Sequence, residues 1–262
     1  MPSANGIHYI LQKPKETNPN RPPLILIHGA GGNFLSFHPY LRRLAGETIY
    51  TLDLPGHGAS EGEGRNSIEE YAEDVACFME AAGIESAIIA GLSMGSGIAL
   101  TLALKHPKKV RGLVLLGGGA KLRVAQSTLE NIGKPETFAP TVEIVNRACF
   151  SPHAPQDLIA LSQKNMLNTG PRILLKDFLA CNQFDVTTQL AQIQTPTLIL
   201  CGTEDVMTPP KYSQYLKDNL PNAQIHMLER SGHMITLEQP DEVAKRIKQF
   251  LDEVPASLPA GN

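Results

Sequence analysis

Short runs of apolar, mostly β-branched residues alternate along the chain with longer stretches of helical periodicity. Leu24–His28, Thr48–Asp53, Ala87–Ala90, Val110–Leu116, Thr197–Cys201 and Gln224–Leu228 read as strands. Several are apolar at successive positions, as strands covered on both faces are. Between them, Phe34–Ala45, Ser67–Ala82, Met94–His106, Pro210–Asn219 and Pro240–Val254 carry helical spacing. Strand and helix alternating at this interval predict an α/β fold with a doubly wound, mostly parallel sheet.

The alternation breaks between residues 120 and 194. No strand pattern occurs there. Four helix-like segments take its place, Val124–Ile132, Thr141–Phe150, Gln156–Leu167 and Arg172–Cys181, punctuated by Pro135, Pro140, Pro152, Pro155 and Pro171. A helical insertion between two strands of a parallel sheet is expected at the carboxyl ends of the strands, where such sheets bind ligands. The chain is therefore read as a core of residues 1–119 and 195–262 with a helical cap at 120–194. No internal repeat appears, and the one biased segment is a Pro-containing tail at Val254–Asn262.

Composition narrows the classes. A chain of 262 residues with 42% apolar and 19% charged residues is globular and buries enough surface to need no disulfide or metal. Its net charge of −3, with no run of Lys or Arg, lacks the footprint of a nucleic-acid binder. The four cysteines (Cys77, Cys149, Cys181, Cys201) show no metal-ligand spacing and read as reduced thiols in a cytoplasmic protein. MPSANGIHYILQK has no secretory pattern of basic residues before an apolar run. Ser86–Leu104 is uncharged and long enough for a marginal membrane span. Gly91, Ser93, Gly95, Ser96 and Gly97 interrupt its middle, so it reads as a buried strand running into a buried helix.

The pattern G-x-S-x-G occurs twice. Around Ser60 it lies in a turn-rich stretch, with no strand entering and no helix leaving. Around Ser93 it follows the apolar run Ala87–Ala90 and opens the helical run from Ile98 to Leu104. Strand, sharp turn and helix form the setting of a nucleophilic serine.

A serine needs a base, and the base needs an orienting group. Beyond the helix that follows Ser93, the histidines are His153, His226 and His233. His153 is flanked by prolines, and His226 falls inside a strand pattern. His233 follows Gly232 in a loop after the last strand and is the expected base. For the acid, Asp205 lies just past the strand Thr197–Cys201, with Glu204 beside it as the rival. Glu204 reads more simply as a turn residue. Donors for an oxyanion are available in the loop His28–Gly32 and at the amide of Met94, the residue after the serine. That glycine-rich loop matches neither nucleotide-binding pattern.

Together HGAGG at His28–Gly32, DLPGHGAS at Asp53–Ser60, GLSMGS at Gly91–Ser96, GTEDVMTP at Gly202–Pro209 and SGHM at Ser231–Met234 resemble the α/β-hydrolase superfamily over nearly the whole chain. The resemblance implies Ser93 as nucleophile, Asp205 as acid and His233 as base, with the amides of Ala30 and Met94 as oxyanion donors. It implies structural roles for His28 and His57. Ser93 departs from the Asp nucleophile of haloalkane dehalogenases and epoxide hydrolases. Leu92 and Met234 stand where C–C bond hydrolases of this superfamily carry Asn and Trp. The resulting expectation is a serine carboxylesterase for short to medium acyl esters, acting through an acyl-enzyme, with no metal and no organic cofactor.

Phe34, Phe37, Phe138, Phe150, Met166 and Phe178 are candidate pocket walls. The expected partner is a small-molecule ester, with no nucleic acid and no membrane, for a monomer or homodimer. A lactonase or C–C hydrolase with the same triad, and a non-catalytic receptor on the same fold, are the alternatives.

Overall fold

The computed structural model describes residues 2–16 and 21–254, so the Pro-containing tail beyond Val254 lies outside the described residues. Among the described residues eight strands occur in chain order: β1 (Ser3–Ala4), β2 (Ile7–Gln12), β3 (Leu24–Ile27), β4 (Ile49–Leu52), β5 (Ala87–Leu92), β6 (Val110–Leu116), β7 (Thr197–Gly202) and β8 (Ala223–Leu228). They form one sheet in the order β1-β2-β4-β3-β5-β6-β7-β8. Every pairing from β4 to β8 is parallel, and β1–β2 and β2–β4 are antiparallel.

Around the sheet lie α1 (Pro39–Arg42), α2 (Ile68–Ala81), α3 (Met94–Lys105), α8 (Pro210–Asn219), α9 (Ile235–Glu238) and α10 (Pro240–Glu253). Between β6 and β7 the chain forms four helices, α4 (Gln126–Ile132), α5 (Pro135–Ala148), α6 (Gln156–Thr169) and α7 (Pro171–Gln183).

Strand periodicity sorts the core. Ile25, Ile27, Ile89, Leu113 and Leu115 face a cluster built with α2 and α3. Their neighbours Leu24, Leu26, Ile88, Ala90 and Val114 face the other side, against Val243, Ile247 and Phe250 of α10. Both faces are apolar, which is why the strands read as continuous hydrophobic runs. Each such Ile, Leu, Val or Phe side chain contributes roughly 1.5–3 kcal/mol when fully buried. The uncharged stretch from Ser86 divides into β5 and α3. Met94 to Ala103 are buried all round the helix, so apolar residues are needed on every side of it. Among the described residues no helix is long and apolar enough to cross a membrane. The insertion has its own core, in which Phe138, Val142, Phe150 and Leu174 meet.

Two readings need correction and one element is additional. Phe34–Ala45 is not one helix. A single 3-10 turn at Phe34–Ser36 is followed by the four-residue α1, because His38 precedes Pro39 and takes extended backbone (φ −57°, ψ 149°). The helix read from Thr141 begins at Pro135 and carries Pro140 within it. The N-terminal hairpin β1–β2 carried no strand reading. Its turn residues Asn5 (φ 49°) and Gly6 (φ 74°) are both left-handed, the Asn-Gly signature of a tight hairpin.

β3 lies between β4 and β5, so the chain leaves β3 towards one edge of the sheet and continues from β5 towards the other. Loops after β3 and β5 part at this switch point, which opens a crevice at their carboxyl ends.

Candidate active site

Ser93 is the single residue between β5 and α3. It adopts φ 54°, ψ −115°, a conformation costing a non-glycine residue about 1–3 kcal/mol. Its backbone is held on both sides: the Ser93 amide donates to Leu116 O (2.8 Å), and Ser93 O accepts from the Ser96 amide (2.8 Å) and Ser96 Oγ (2.6 Å). The turn is so tight that a Cβ on Gly91 would lie 2.0 Å from Gly95 O, and one on Gly95 2.3 Å from Ile27 O. No side chain fits at either position.

His233 follows β8 in the loop before α9, and its Nδ1 donates to Asp205 Oδ2 (2.8 Å). Asp205 stands just past β7, buried, and its other oxygen accepts the amides of Met207 (2.8 Å) and Thr208 (2.9 Å). Burial works against its charge, but His233 and the Thr208 donors outweigh it and hold the carboxyl below its usual range. The Thr208 hydroxyl adds contacts to Asp205 Oδ2 (2.9 Å) and Gly117 O (2.8 Å). With Nδ1 engaged, Nε2 is the other ring nitrogen, and the ring lines the same cavity as Ser93. Glu204 is instead 3.5 Å from the exposed His153, and His226 sits half-buried on β8. Ser60, in the first copy of the motif, accepts the His8 amide (2.7 Å) and donates to Asp53 O.

At the opposite wall runs the loop after β3. His28 is fully buried, with Nε2 accepting the Leu54 amide (3.0 Å) and Nδ1 donating to Gly29 O (2.7 Å), which requires a neutral ring. Burial, and the neighbouring His57, lower its pKa to about 4. His57, with its ring centre 4.8 Å away, behaves oppositely. Its Nδ1 meets Pro55 O (3.1 Å) and its Nε2 meets Asp177 Oδ2 (2.8 Å), both acceptors. Burial alone would lower the His57 pKa, but Asp177 raises it above the ordinary value.

Asp177 had no place in the sequence reading. It projects from α7, fully buried, and accepts three hydrogen bonds: from His57, from Tyr71 Oη (2.6 Å) and from the Gly31 amide (2.8 Å). Burial opposes its ionisation, yet His57, Tyr71 and the Gly31 amide together hold its carboxyl below the usual range. Ala30, the residue before Gly31, lies past the end of β3. Met94 opens α3, where the first amides have no acceptor within their own helix.

Ser93, His233, Ala30 and Gly31 line one cavity of about 90 Å³, room for roughly three water molecules at liquid density. Of the six side chains expected as walls, Met166 and Phe178 line it. The other four lie elsewhere. Phe37 is buried in the sheet core beside α10, and Phe138 and Phe150 belong to the insertion's core. Phe34 packs under the Arg42 guanidinium (5.3 Å to the ring centre). Smaller aliphatic residues complete the wall, among them Val145, Leu158, Leu161, Met207 and Leu237. Leu158, Leu161 and Asn165 fall with the expected Met166 on one face of α6, a helical spacing visible in the sequence. Cys149 also reaches the cavity, and burial pushes its thiol up to about 12, far from a nucleophile. Among the described residues no group of three or more His, Cys, Asp or Glu is arranged to hold a metal ion.

Comparison with known proteins agrees with this architecture. A family model described as alpha/beta hydrolase fold matches residues 22–240. The chain is 30% identical over 243 residues to Lipase 1 of Psychrobacter immobilis, covering 87% of this chain and 76% of that protein. It is 29% identical over 244 residues to a pimeloyl-[acyl-carrier protein] methyl ester esterase of Neisseria meningitidis serogroup C, covering 87% and 93%. A solved structure of a thermophilic esterase superposes with a TM-score of 0.80 at 25% identity, covering 95% of this chain and 98% of that one.

Proposed function

The chain belongs to the alpha/beta hydrolase family, and from that premise we propose that it cleaves small carboxylic esters with Ser93 as nucleophile. It is a hydrolase of the carboxylesterase type by its likeness to known esterases and lipases. The observation that carries the finer reading is the pairing of a strained Ser93 turn with an Asp205-anchored His233 around one cavity.

In this reading His233 Nε2 takes the Ser93 hydroxyl proton as Oγ attacks the ester carbonyl. Asp205, already ionised and bonded to Nδ1, stabilises the imidazolium that forms. The tetrahedral oxyanion is met by the amides of Ala30 and Met94, each worth roughly 3–4 kcal/mol of barrier when removed. The intermediate collapses, the C–O bond to the alcohol breaks, and His233 returns the proton to the leaving oxygen. Water, deprotonated by the same imidazole, then attacks the acyl-enzyme and releases the acid with Ser93 regenerated.

A small cavity walled mainly by Leu, Val, Met and Phe favours uncharged esters of short to medium acyl length. The helices α4–α7 act as a cap that closes this cavity. The four free cysteines suit a reducing, cytoplasmic setting.

Hydrolysis of p-nitrophenyl esters of increasing acyl length, with Ser93→Ala alongside, tests the reading. The expected result is turnover greatest for acyl chains of a few carbons, and at least about a thousandfold lower in Ser93→Ala. A folded Ser93→Ala protein that keeps the wild-type rate would refute it.

A further inference from the structure

We propose that Asp177 and Thr169, both on the helical insertion, are positioning residues that clamp Gly31 and thereby aim the Ala30 amide at the oxyanion. The proposal rests on the serine-esterase reading above, and concerns how its oxyanion site is kept in register.

The loop His28–Gly32 is rich in glycine, the residue with the greatest backbone freedom to lose. Left to itself it would sample many orientations of its amides, and a displacement of about 1 Å at a catalytic donor can cost a hundredfold in rate. Gly31 (φ +65°) is instead fixed at both of its peptide groups. Its amide donates to Asp177 Oδ2 (2.8 Å), which sets the plane of the Ala30–Gly31 peptide. Its carbonyl accepts the Thr169 hydroxyl (2.9 Å), which sets the next plane. The side chains of Leu174 and Met166 close over its α-carbon, so that a Cβ there would lie 2.7 Å from Leu174 Cδ1.

Asp177 is itself held at both oxygens, by His57 at Oδ2 and Tyr71 at Oδ1, from two other parts of the core. Gly31 therefore inherits its position from a buried point shared by α2, the loop after β4 and α7. The insertion forms one wall of the cavity and also holds the catalytic backbone beneath it.

The test uses p-nitrophenyl butyrate turnover per folded molecule, together with the affinity for a phenyl trifluoromethyl ketone, whose hemiketal oxygen occupies the oxyanion site. For Asp177→Ala, kcat is expected to fall about ten- to hundredfold with KM within about threefold. Ketone affinity should fall in proportion to kcat/KM. Asp177→Asn should regain most of the loss, since its amide oxygen can still accept the Gly31 amide. Thr169→Val leaves the buried charges untouched and should lower kcat about three- to tenfold, with Thr169→Ser restoring it. If Asp177→Ala does not fold, Thr169→Val decides. Thr169→Val and every folded Asp177 variant keeping kcat and ketone affinity within about twofold of wild type would overturn the proposal. Ser93→Ala, run in parallel, separates this result from failure of the esterase reading: a fully active Ser93→Ala refutes that reading, whereas an inactive one, with Thr169→Val and every folded Asp177 variant unaffected, refutes only the clamp.

Discussion

The helical insertion touches the candidate site at two ends, and it holds them by different means. At the histidine end the bond is main chain to main chain: Cys149 O accepts the amides of His233 (2.9 Å) and Met234 (3.0 Å). At the oxyanion end it is side chain to main chain, through the carboxylate of Asp177 and the hydroxyl of Thr169. A main-chain tether depends on shape, since any residue at position 149 supplies the same carbonyl. A side-chain tether depends on chemistry. Here the chemistry is a fully buried charge whose neighbours rely on it in turn.

The largest difference between the two ends is expected in stability. Asp177→Ala leaves the His57 imidazole, the Tyr71 hydroxyl and the Gly31 amide without their shared acceptor in a fully buried place. Removing one partner of a buried ion pair costs about 3–5 kcal/mol. Cys149→Ala removes a buried thiol but none of the bonds to its carbonyl, and should cost about 1 kcal/mol. Urea unfolding of the two variants measures both. Equal losses would mean that the two tethers do not differ in kind.

pH separates the ends next. His28 is held neutral, with its pKa lowered from 6.5 to about 4. A histidine depressed in this way contributes stability that is present above pH 6.5 and lost as pH falls towards 4, a total of about 3 kcal/mol. His57 has the opposite sign. Its raised pKa contributes below pH 6.5, and that contribution is lost as pH rises through the folded value. At the histidine end the depressed Asp205 contributes above pH 3.8 and loses its effect only as pH falls through its folded value. Urea midpoints taken from pH 7 to pH 4.5 should therefore decline through the oxyanion end first. His28→Gln should remove that slope, and an unchanged slope would assign it to other groups.

Breaking the histidine end calls for a change of shape. A Cβ on Gly232 would sit 2.6 Å from Ser151 N and 2.8 Å from Phe150 C, both backbone atoms that cannot swing aside. Gly232→Ala should cost roughly 1–3 kcal/mol, as overpacking does. It should also displace His233 enough to reduce kcat about tenfold or more. Full activity in that variant would show that the main-chain tether does not position the histidine.

The two ends also differed in how far the sequence revealed them. Ser93, Asp205 and His233 each follow a strand within a short motif, so local pattern made them candidates, with Glu204 beside Asp205 as a rival, and the fold brings Ser93 and His233 to one cavity. The parallel sheet and the insertion helices were equally legible, because periodicity is local. Asp177 was not, since its partners Tyr71, His57 and Gly31 lie 106, 120 and 146 positions away. An Asp within a helical run reads as a solvated residue until the fold buries it. The pocket walls failed for a related reason. Position beside the oxyanion loop and in the cap marked Phe37 and Phe138 as candidates, but their size drew them into the sheet core and the insertion's core. The helix read at Phe34–Ala45 failed on a signal that was present, the proline at position 39.

The smallest expected effect gives the finest test, because one charged group does serve the histidine end. Glu238 accepts the Ser151 amide (3.0 Å) with one oxygen and the Gly232 amide (2.9 Å) with the other. It thus bridges the same two segments that Cys149 O joins. Glu238→Gln keeps the shape and one acceptor, but turns an N–H group towards one of the two donors. Glu238 is only half-buried, so water can serve the orphaned amide, and the cost should be about 1 kcal/mol. With the Cys149 carbonyl still holding His233 and Met234, kcat should fall less than about threefold. A loss as deep as that of Asp177→Ala would mean that the histidine loop also hangs on a single carboxylate. The insertion would then fix both ends of the site by charge, and the geometry of Cys149 O would be its consequence.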